Sequence, residues 1–379
     1  MPSISVVMAT HNGERFICQQ LNSLLGQTAQ IDELIVSDDG STDRTLDILE
    51  EFAKNAPFRV SITRNGARLG YKENFMQAAS LADCDLIAFC DQDDIWDSQK
   101  LSQSIVPFAD PEVLLVHHDA LVVTEDEIEI GRLHTEPKPP TCQAPGTSDP
   151  WCTVRGFTQV FRRSLLELSH LWRISRDPRS WDEVLAHDQW FYFVASVFGK
   201  VVYLDVPLAS YRRHAHSTSG WRKPPSLLKR MQLRFEDRST VYYCCSSAAK
   251  SRSEILATAS VSSARPEWRA RADEMARRYE ILRHLYELRH LLYEERNLKR
   301  RAAIFGALLR ANAYGCRGYW TFQLKGLAKD FILGIFLARL LKKYGLPANS
   351  GDSTCKSTKQ EGQQAKLYDA IASRKAPVY

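Results

Sequence analysis

Five consecutive apolar residues, Leu86-Ile87-Ala88-Phe89-Cys90, run directly into Asp91-Gln92-Asp93-Asp94. An apolar run without polar alternation fits a short strand buried on both faces, the habit of a parallel sheet. Side chains alternate along an extended chain, so if Asp91 to Asp93 stays extended, both carboxylates leave one face and can converge on one hard cation. In an open α/β sheet, ligands gather at the carboxyl ends of strands, which is where these acids fall. The alternative is a solvated acidic turn, since short acidic clusters are ordinary at loop tips.

The stretches before this run repeat one pattern. Ile4 to Ala9 reads as a strand and breaks at the turn-forming Thr10-His11-Asn12-Gly13; a helix follows with Ile17, Leu21, Leu24 and Leu25 on one face. Glu33 to Ser37 is a second strand, Asp38-Asp39-Gly40-Ser41-Thr42-Asp43 a second polar turn, and Leu46, Leu49 and Ala53 line the next helix. Ser41 or Asp43 is expected to cap that helix. Capping leaves Asp38-Asp39 unexplained, and a carboxylate at a strand end suits a base N–H or a ribose hydroxyl. Phe58 to Thr63 reads as a third strand, Asn65 to Gly70 as a glycine-punctuated loop and Lys72 to Ala82 as a helix. The alternation through residue 100 predicts an α/β fold with a mainly parallel, mixed sheet.

Val113 to Asp119 continues the strand pattern. Between Gly131 and Pro150 the chain carries five prolines from Pro137 onward, so no regular element is expected there, only a loop beside the site. Arg162 to Leu171 looks helical. His187 and Asp188 open a nearly all-apolar helix, and the helix dipole alone favours an acid at that first turn. Lys200 to Leu204 reads as a strand, and Tyr211 to Ser217 closes the region with a basic run.

Charge then divides the chain. Residues 1–220 hold 19 Lys+Arg against 31 Asp+Glu, a net −12, whereas residues 221–347 hold 26 against 11, a net +15. Pro224-Pro225 marks the change, and three parts are expected: a catalytic domain over 1–222, a basic helical region over 223–347 and a disordered tail over 348–379. Ala264 to Arg301 is a long amphipathic segment and Leu327 to Tyr344 a second, followed by basic residues, which makes an anionic membrane face a candidate peripheral partner. The apolar run Phe331 to Leu341 is too short to span a bilayer, which needs ~20 residues. Nine scattered cysteines without a C-x-x-C pair indicate neither a disulfide framework nor a zinc site and suit a reducing cytosol. The first residues carry no basic leader and no sufficiently long apolar core for a signal peptide, so a cytoplasmic location is expected.

Six stretches carry a resemblance. Ser5 to Gly13, Ile35 to Asp43, Asn65 to Gly70, Asp91 to Trp96, His187-Asp188-Gln189-Trp190 and Tyr211-Arg212-Arg213-His214 occur in the order found in family 2 glycosyltransferases of the GT-A nucleotide-sugar fold, most similar to the rhamnosyltransferase-like subgroup. The resemblance covers a little over half the chain and nothing after residue 224. It implies that Thr10 and Glu14 line a nucleotide pocket, that Asp39 receives the base N–H with Asp38 in support, and that Asp91 lies by the ribose and the metal. It further implies that Asp93 ligates Mg²⁺ or Mn²⁺, that Asp188 is the catalytic base, and that Trp190, Arg212, Arg213 and His214 face the diphosphate and acceptor. Gln189 departs from the bulkier aromatic residue that relatives often carry, which bears on acceptor geometry.

The implied reaction is an inverting transfer of a sugar, rhamnose among the candidates, from a UDP- or dTDP-sugar to a hydroxyl of a saccharide or lipid-linked glycan, in cell-surface polysaccharide synthesis. Two other classes compete. A metal-dependent nucleotidyltransferase needs a glycine-rich basic loop against a triphosphate, and Thr10-His11-Asn12-Gly13-Glu14 is a poor one. A non-catalytic scaffold holding nucleic acid would interleave aromatic residues with its basic face, whereas here they fall at core-like helical spacing, so no nucleic acid is expected.

Overall fold

The structure, a computed structural model, describes residues 2–134, 141–180, 182–214, 238–315 and 320–337. The expected boundary at 222/223, the end of the basic run after His214, the end of the second amphipathic segment and the tail 348–379 lie outside the described residues. Chain contacts define two compact units, Met1–Pro224 with Ser247–Ile281, and Pro225–Ser246 with Leu282–Tyr379.

The first unit is built on a mixed sheet of ten strands: β1 (Ile4–Thr10), β2 (Glu33–Asp38), β3 (Arg59–Arg64), β4 (Leu86–Asp91), β5 (Ile95–Trp96), β6 (Val113–Val123), β7 (Glu129–Arg132), β8 (Thr141–Gln143), β9 (Gln159–Arg162) and β10 (Lys200–Arg212). Their order is β3-β2-β1-β4-β9-β6-β10-β5, with β7 on β6 and β8 on β10. β3, β2, β1 and β4 are mutually parallel, β9 runs antiparallel to β4 and β6, and β10 runs parallel to β6. β7 and β8 correct the expectation that 131–150 holds no regular element: each is a short ribbon against a long buried strand, and the prolines at 137, 139 and 140 fall between them, outside the described residues. The helix expected over Arg162 to Leu171 is 3₁₀-helical and runs from Arg163 to Ile174.

Alternation along β1 explains how the sheet is covered. Ile4, Val6 and Met8 join Ile17, Leu21 and Leu24 of α1 (Ile17–Leu25) and Leu49 of α2 (Thr45–Asn55) in one core. On β4 the opposite side chain, Phe89, meets Phe75 of α3 (Tyr71–Ser80) at 5.4 Å and Phe191 of α5 (His187–Phe198) at 5.5 Å. The shorter α4 (Lys100–Ile105) follows β5. Both faces are thus apolar, which is why β1, β2 and β4 show no polar alternation.

Two long helices follow, α6 (Arg238–Ser262) and α7 (Pro266–Glu294). Their 247–281 part belongs with the sheet: Trp268 stacks on Phe198 at 4.8 Å, Tyr279 meets Phe193 edge-on at 5.9 Å, and Arg252 donates to the Pro150 carbonyl. The second unit has its own core of Tyr242, Leu292, Tyr293, Ile304, Leu308 and Tyr314, with α8 (Leu298–Arg310), α9 (Gln323–Lys329) and a π-helical turn, Asp330–Leu337.

Candidate active site

Register places the acids. Thr10 pairs with Asp38 on β2 and Ala9 with Asp91 on β4, so the ends of three adjacent strands carry Asp38, Thr10 and Asp91 side by side. Asp38 is fully buried and organises its own turn, accepting from Thr10 Oγ1 (2.8 Å), Gly40 N (3.1 Å), Ser41 N (2.8 Å) and Ser41 Oγ (2.5 Å). Neither expected residue stands at the helix N-cap, which is Arg44; Asp43, one position before it, accepts from Thr45 N at 3.0 Å. Asp39 accepts from Leu69 N at 2.6 Å, Gly70 N at 2.8 Å and Asn65 Nδ2 at 3.3 Å. A carboxylate offers about four lone-pair positions, which leaves Asp39 room for one more donor.

The first two loops are zipped together. Asn12 N donates to Ser41 Oγ, Gly13 N to Thr45 Oγ1, Glu14 N to Asp43, and Arg44 N to Glu14 Oε2. Thr10 and Glu14, expected to line the nucleotide pocket, thus hold Asp38 and the second loop. Gln92 ties the acidic stretch to the same assembly, its amide accepting from His11 N at 3.0 Å and donating to His11 O at 3.1 Å. A Cβ on Gly13 would lie 2.4 Å from Gln92 Oε1, so only glycine lets this pair form.

Asp91, Asp93 and Asp94 converge, each offering an oxygen within 4.8 Å of the others. They do so by a turn: β4 ends at Asp91 and the extended run expected to Asp93 is replaced by a bend, which brings in Asp94, a residue the spacing did not single out. Burial, then the charges of Asp93 and Asp188, push the Asp91 carboxyl up, and burial pushes Asp94 up further. Asp94 Oδ1 accepts from Arg212 N at 3.1 Å, while its buried Oδ2 has no hydrogen-bond partner among the described residues. Three crowded hard oxygens with an orphaned one among them are a donor set that fits Mg²⁺ or Mn²⁺.

β10 delivers the closing side. His214 Nε2 lies 2.7 Å from Asp93 Oδ2, and the His214 ring packs on Phe16 at 4.9 Å. Arg213 lies over the Tyr211 ring at 4.9 Å. Arg212, expected at the diphosphate, is 1% exposed; its guanidinium donates to Asp93 O (3.0 Å), Glu125 O (2.8 Å) and Gln19 Oε1 (2.6 Å). It braces the acidic turn from below. Trp190, expected at the diphosphate and acceptor, is fully buried in α5 against Phe193.

Asp188 stands at the first turn of α5, where Gln189 Oε1 accepts from Ala186 N at 3.1 Å and Gln159 Nε2 donates to Asp188 O at 3.1 Å. Burial pushes its carboxyl up to about 6, against the lowering pull of the Gln189 N–H, Arg155 and the Gly156 N–H. Its charge reaches Asp91. His187 beside it is stacked on Phe75 at 4.0 Å and driven by burial to about 3, so it stays neutral. Arg155 and Lys100 complete the electrostatics and were not singled out in the sequence. Arg155 is an exposed cation acting on both Asp91 and Asp188. Lys100 is wholly buried 3.4 Å above the Trp96 ring, donating to the Phe157 carbonyl, and burial lowers its ammonium to about 7.

Against this geometry, residues 5–168 match the family model described as Glycosyl transferase family 2. An uncharacterized glycosyltransferase of Nostoc sp. is 28% identical over 215 residues, which is 56% of this chain and 65% of that one. The dTDP-rhamnosyl transferase RfbG of Shigella flexneri is 39% identical over 102 residues, 26% of this chain and 35% of that one. The chain thus spans less than two thirds of either relative. Among solved structures, S. aureus TarS 1–349 in complex with UDP resembles it with a TM-score of 0.47 at 16% identity, over 86% of this chain and 90% of that one. The parallel strands β3-β2-β1-β4 end in Asp38-Asp39 and in the Asp91-Asp93-Asp94 cluster, and the segment that carries them, residues 5–168, is similar to glycosyltransferase family 2.

Proposed function

We propose that the protein moves a sugar from a UDP- or dTDP-sugar to a hydroxyl of a saccharide or lipid-linked glycan, with inversion and with a divalent cation, in the building of a surface polysaccharide. One observation carries the reading: a separate, half-buried carboxylate, Asp188, stands within electrostatic reach of a three-acid cluster at the sheet's carboxyl edge. Rhamnose as the sugar is supported by the match to RfbG, a protein named for dTDP-rhamnosyl transfer.

Asp93, Asp91 and Asp94 would hold Mg²⁺ or Mn²⁺, which when bound supplies Lewis-acid neutralisation of a leaving diphosphate. Asp39 keeps one acceptor position for a base N–H, and Asp38 fixes the turn that presents it. Asp188 accepts the proton of the acceptor hydroxyl as the new C–O bond forms on one face of the sugar and the bond to the diphosphate breaks on the other. Attack and departure on opposite faces invert the anomeric carbon. General-base assistance of this kind is worth typically ~10²–10⁴-fold. Residues 211–214, which reach Asp94 and Asp93, are the candidates for keeping water out, and a lipid-linked acceptor would place the enzyme at the inner membrane face.

The test is Asp188→Asn, assayed with Mn²⁺ against a panel of UDP- and dTDP-sugars. Nucleotide binding by calorimetry should persist while transfer and slow donor hydrolysis fall by about 10²-fold or more. Full turnover in that variant removes Asp188 from the mechanism, and pyrophosphate release from a nucleoside triphosphate would reassign the site to nucleotidyl transfer.

A further inference from the structure

The last described element of the second unit turns its apolar side outward. Along α9 and the π-helical turn, Gly326, Asp330, Gly334 and Ile335 are buried, whereas Leu324, Phe331, Ile332 and Phe336 are between 48 and 68% exposed. The orientation is locked from inside. Asp330 accepts from Arg289 Nε at 2.7 Å and Nη2 at 2.9 Å, from Tyr293 at 3.0 Å and from Tyr314 at 2.9 Å. A Cβ on Gly334 would lie 2.7 Å from Leu292 Cδ2, so that side admits only a close-packed glycine. The π turn's five-residue repeat then sets Phe331 against Phe336 at 5.4 Å, a paired aromatic ridge on the outside.

Charge is sorted the same way. The acid of this stretch faces inward and is neutralised by Arg289, while Lys325 is exposed. Beyond the described residues the sequence continues with Arg339, Lys342 and Lys343 and has no acid from Phe331 to Gly351. Apolar and aromatic side chains flanked by cations, in an element that is not long and apolar enough to cross a bilayer, match a surface-lying membrane contact. We propose that this face docks on a bilayer containing anionic phospholipid. The proposal deepens the transferase reading, on which it rests only for the reason why a lipid-linked acceptor would be met there.

The experiment is co-sedimentation of the full chain with phosphatidylglycerol/phosphatidylcholine vesicles and with phosphatidylcholine alone. Binding should require the anionic lipid and weaken as salt screens it. The variant Leu324→Gln/Ile332→Gln/Phe336→Gln, all at exposed positions, should bind about tenfold or more weakly, with circular dichroism and thermal midpoint unchanged. No binding to anionic vesicles at low salt overturns the proposal, as does wild-type binding by the triple variant. A wild-type dimer in solution that the variant converts to monomer also overturns it, the face being covered by a second copy. Donor hydrolysis is followed in the same preparations: its absence beside intact vesicle binding removes the transferase reading and leaves the docking face standing.

Discussion

The Asp188 carboxyl is raised to about 6 chiefly by burial, so it is ionised near neutrality yet retains affinity for a proton. As the base it must be deprotonated, so kcat/KM should climb about tenfold per pH unit below about 6 and level off above it. A profile flat between pH 5 and 7 would show that another group takes the proton. The same shift acts on stability with the opposite sign. An acid whose folded value lies above its ordinary 3.8 binds protons more tightly when folded, so this site's contribution declines as pH rises from about 4 to about 6 and is level outside that window. Lys100 is a second residue-scale case. Lys100→Met would leave the buried Phe157 carbonyl without its donor, and a loss of about 1–3 kcal/mol in urea unfolding is expected; unchanged stability would mean that this hydrogen bond contributes nothing there.

At the scale of elements, the loops after β1, β2 and β4 act as one piece, and Gly13 is where they touch. In Gly13→Ala the new Cβ displaces the Gln92 amide from His11, costing two hydrogen bonds and about 1–3 kcal/mol by chemical denaturation. Gly66→Ala, with nothing within 4 Å of its Cβ, serves as the control and should be silent. If both variants unfold alike, the Gln92–His11 pair is not what joins the loops. The strands and turns that carry these loops were legible because apolar runs and Asp/Gly/Ser clusters are local signals. What faces where was not. Trp190 and Arg212 sit in stretches matching a family motif, but only packing shows that one points into the core and the other lies beneath the turn. Lys100 and Asp94 were not singled out, since burial of an ion depends on partners distant in sequence, here Phe157 and Arg212. The antiparallel insertion of β9 between β4 and β6 was equally hidden, being a pairing of segments about 75 and 45 residues apart.

For the molecule as a whole, helices beyond the sheet are part of the first unit's stability. Trp268 is 3% exposed and stacked on Phe198, so Trp268→Ala should cost about 3–5 kcal/mol in urea unfolding although it lies outside the family-matched segment; a wild-type transition would show that the stack is incidental. The matched segment, residues 5–168, also stops short of Asp188 and of β10. That strand fills the gap between β6 and β5 and ends in the residues that grip Asp93 and Asp94. Because the chain leaves the ribosome from its amino end, the acids of β4 emerge more than a hundred residues before the strand that secures them. The nascent protein can therefore fold its first β–α repeats early, while the acid cluster stays unsecured until residue 214 has cleared the exit.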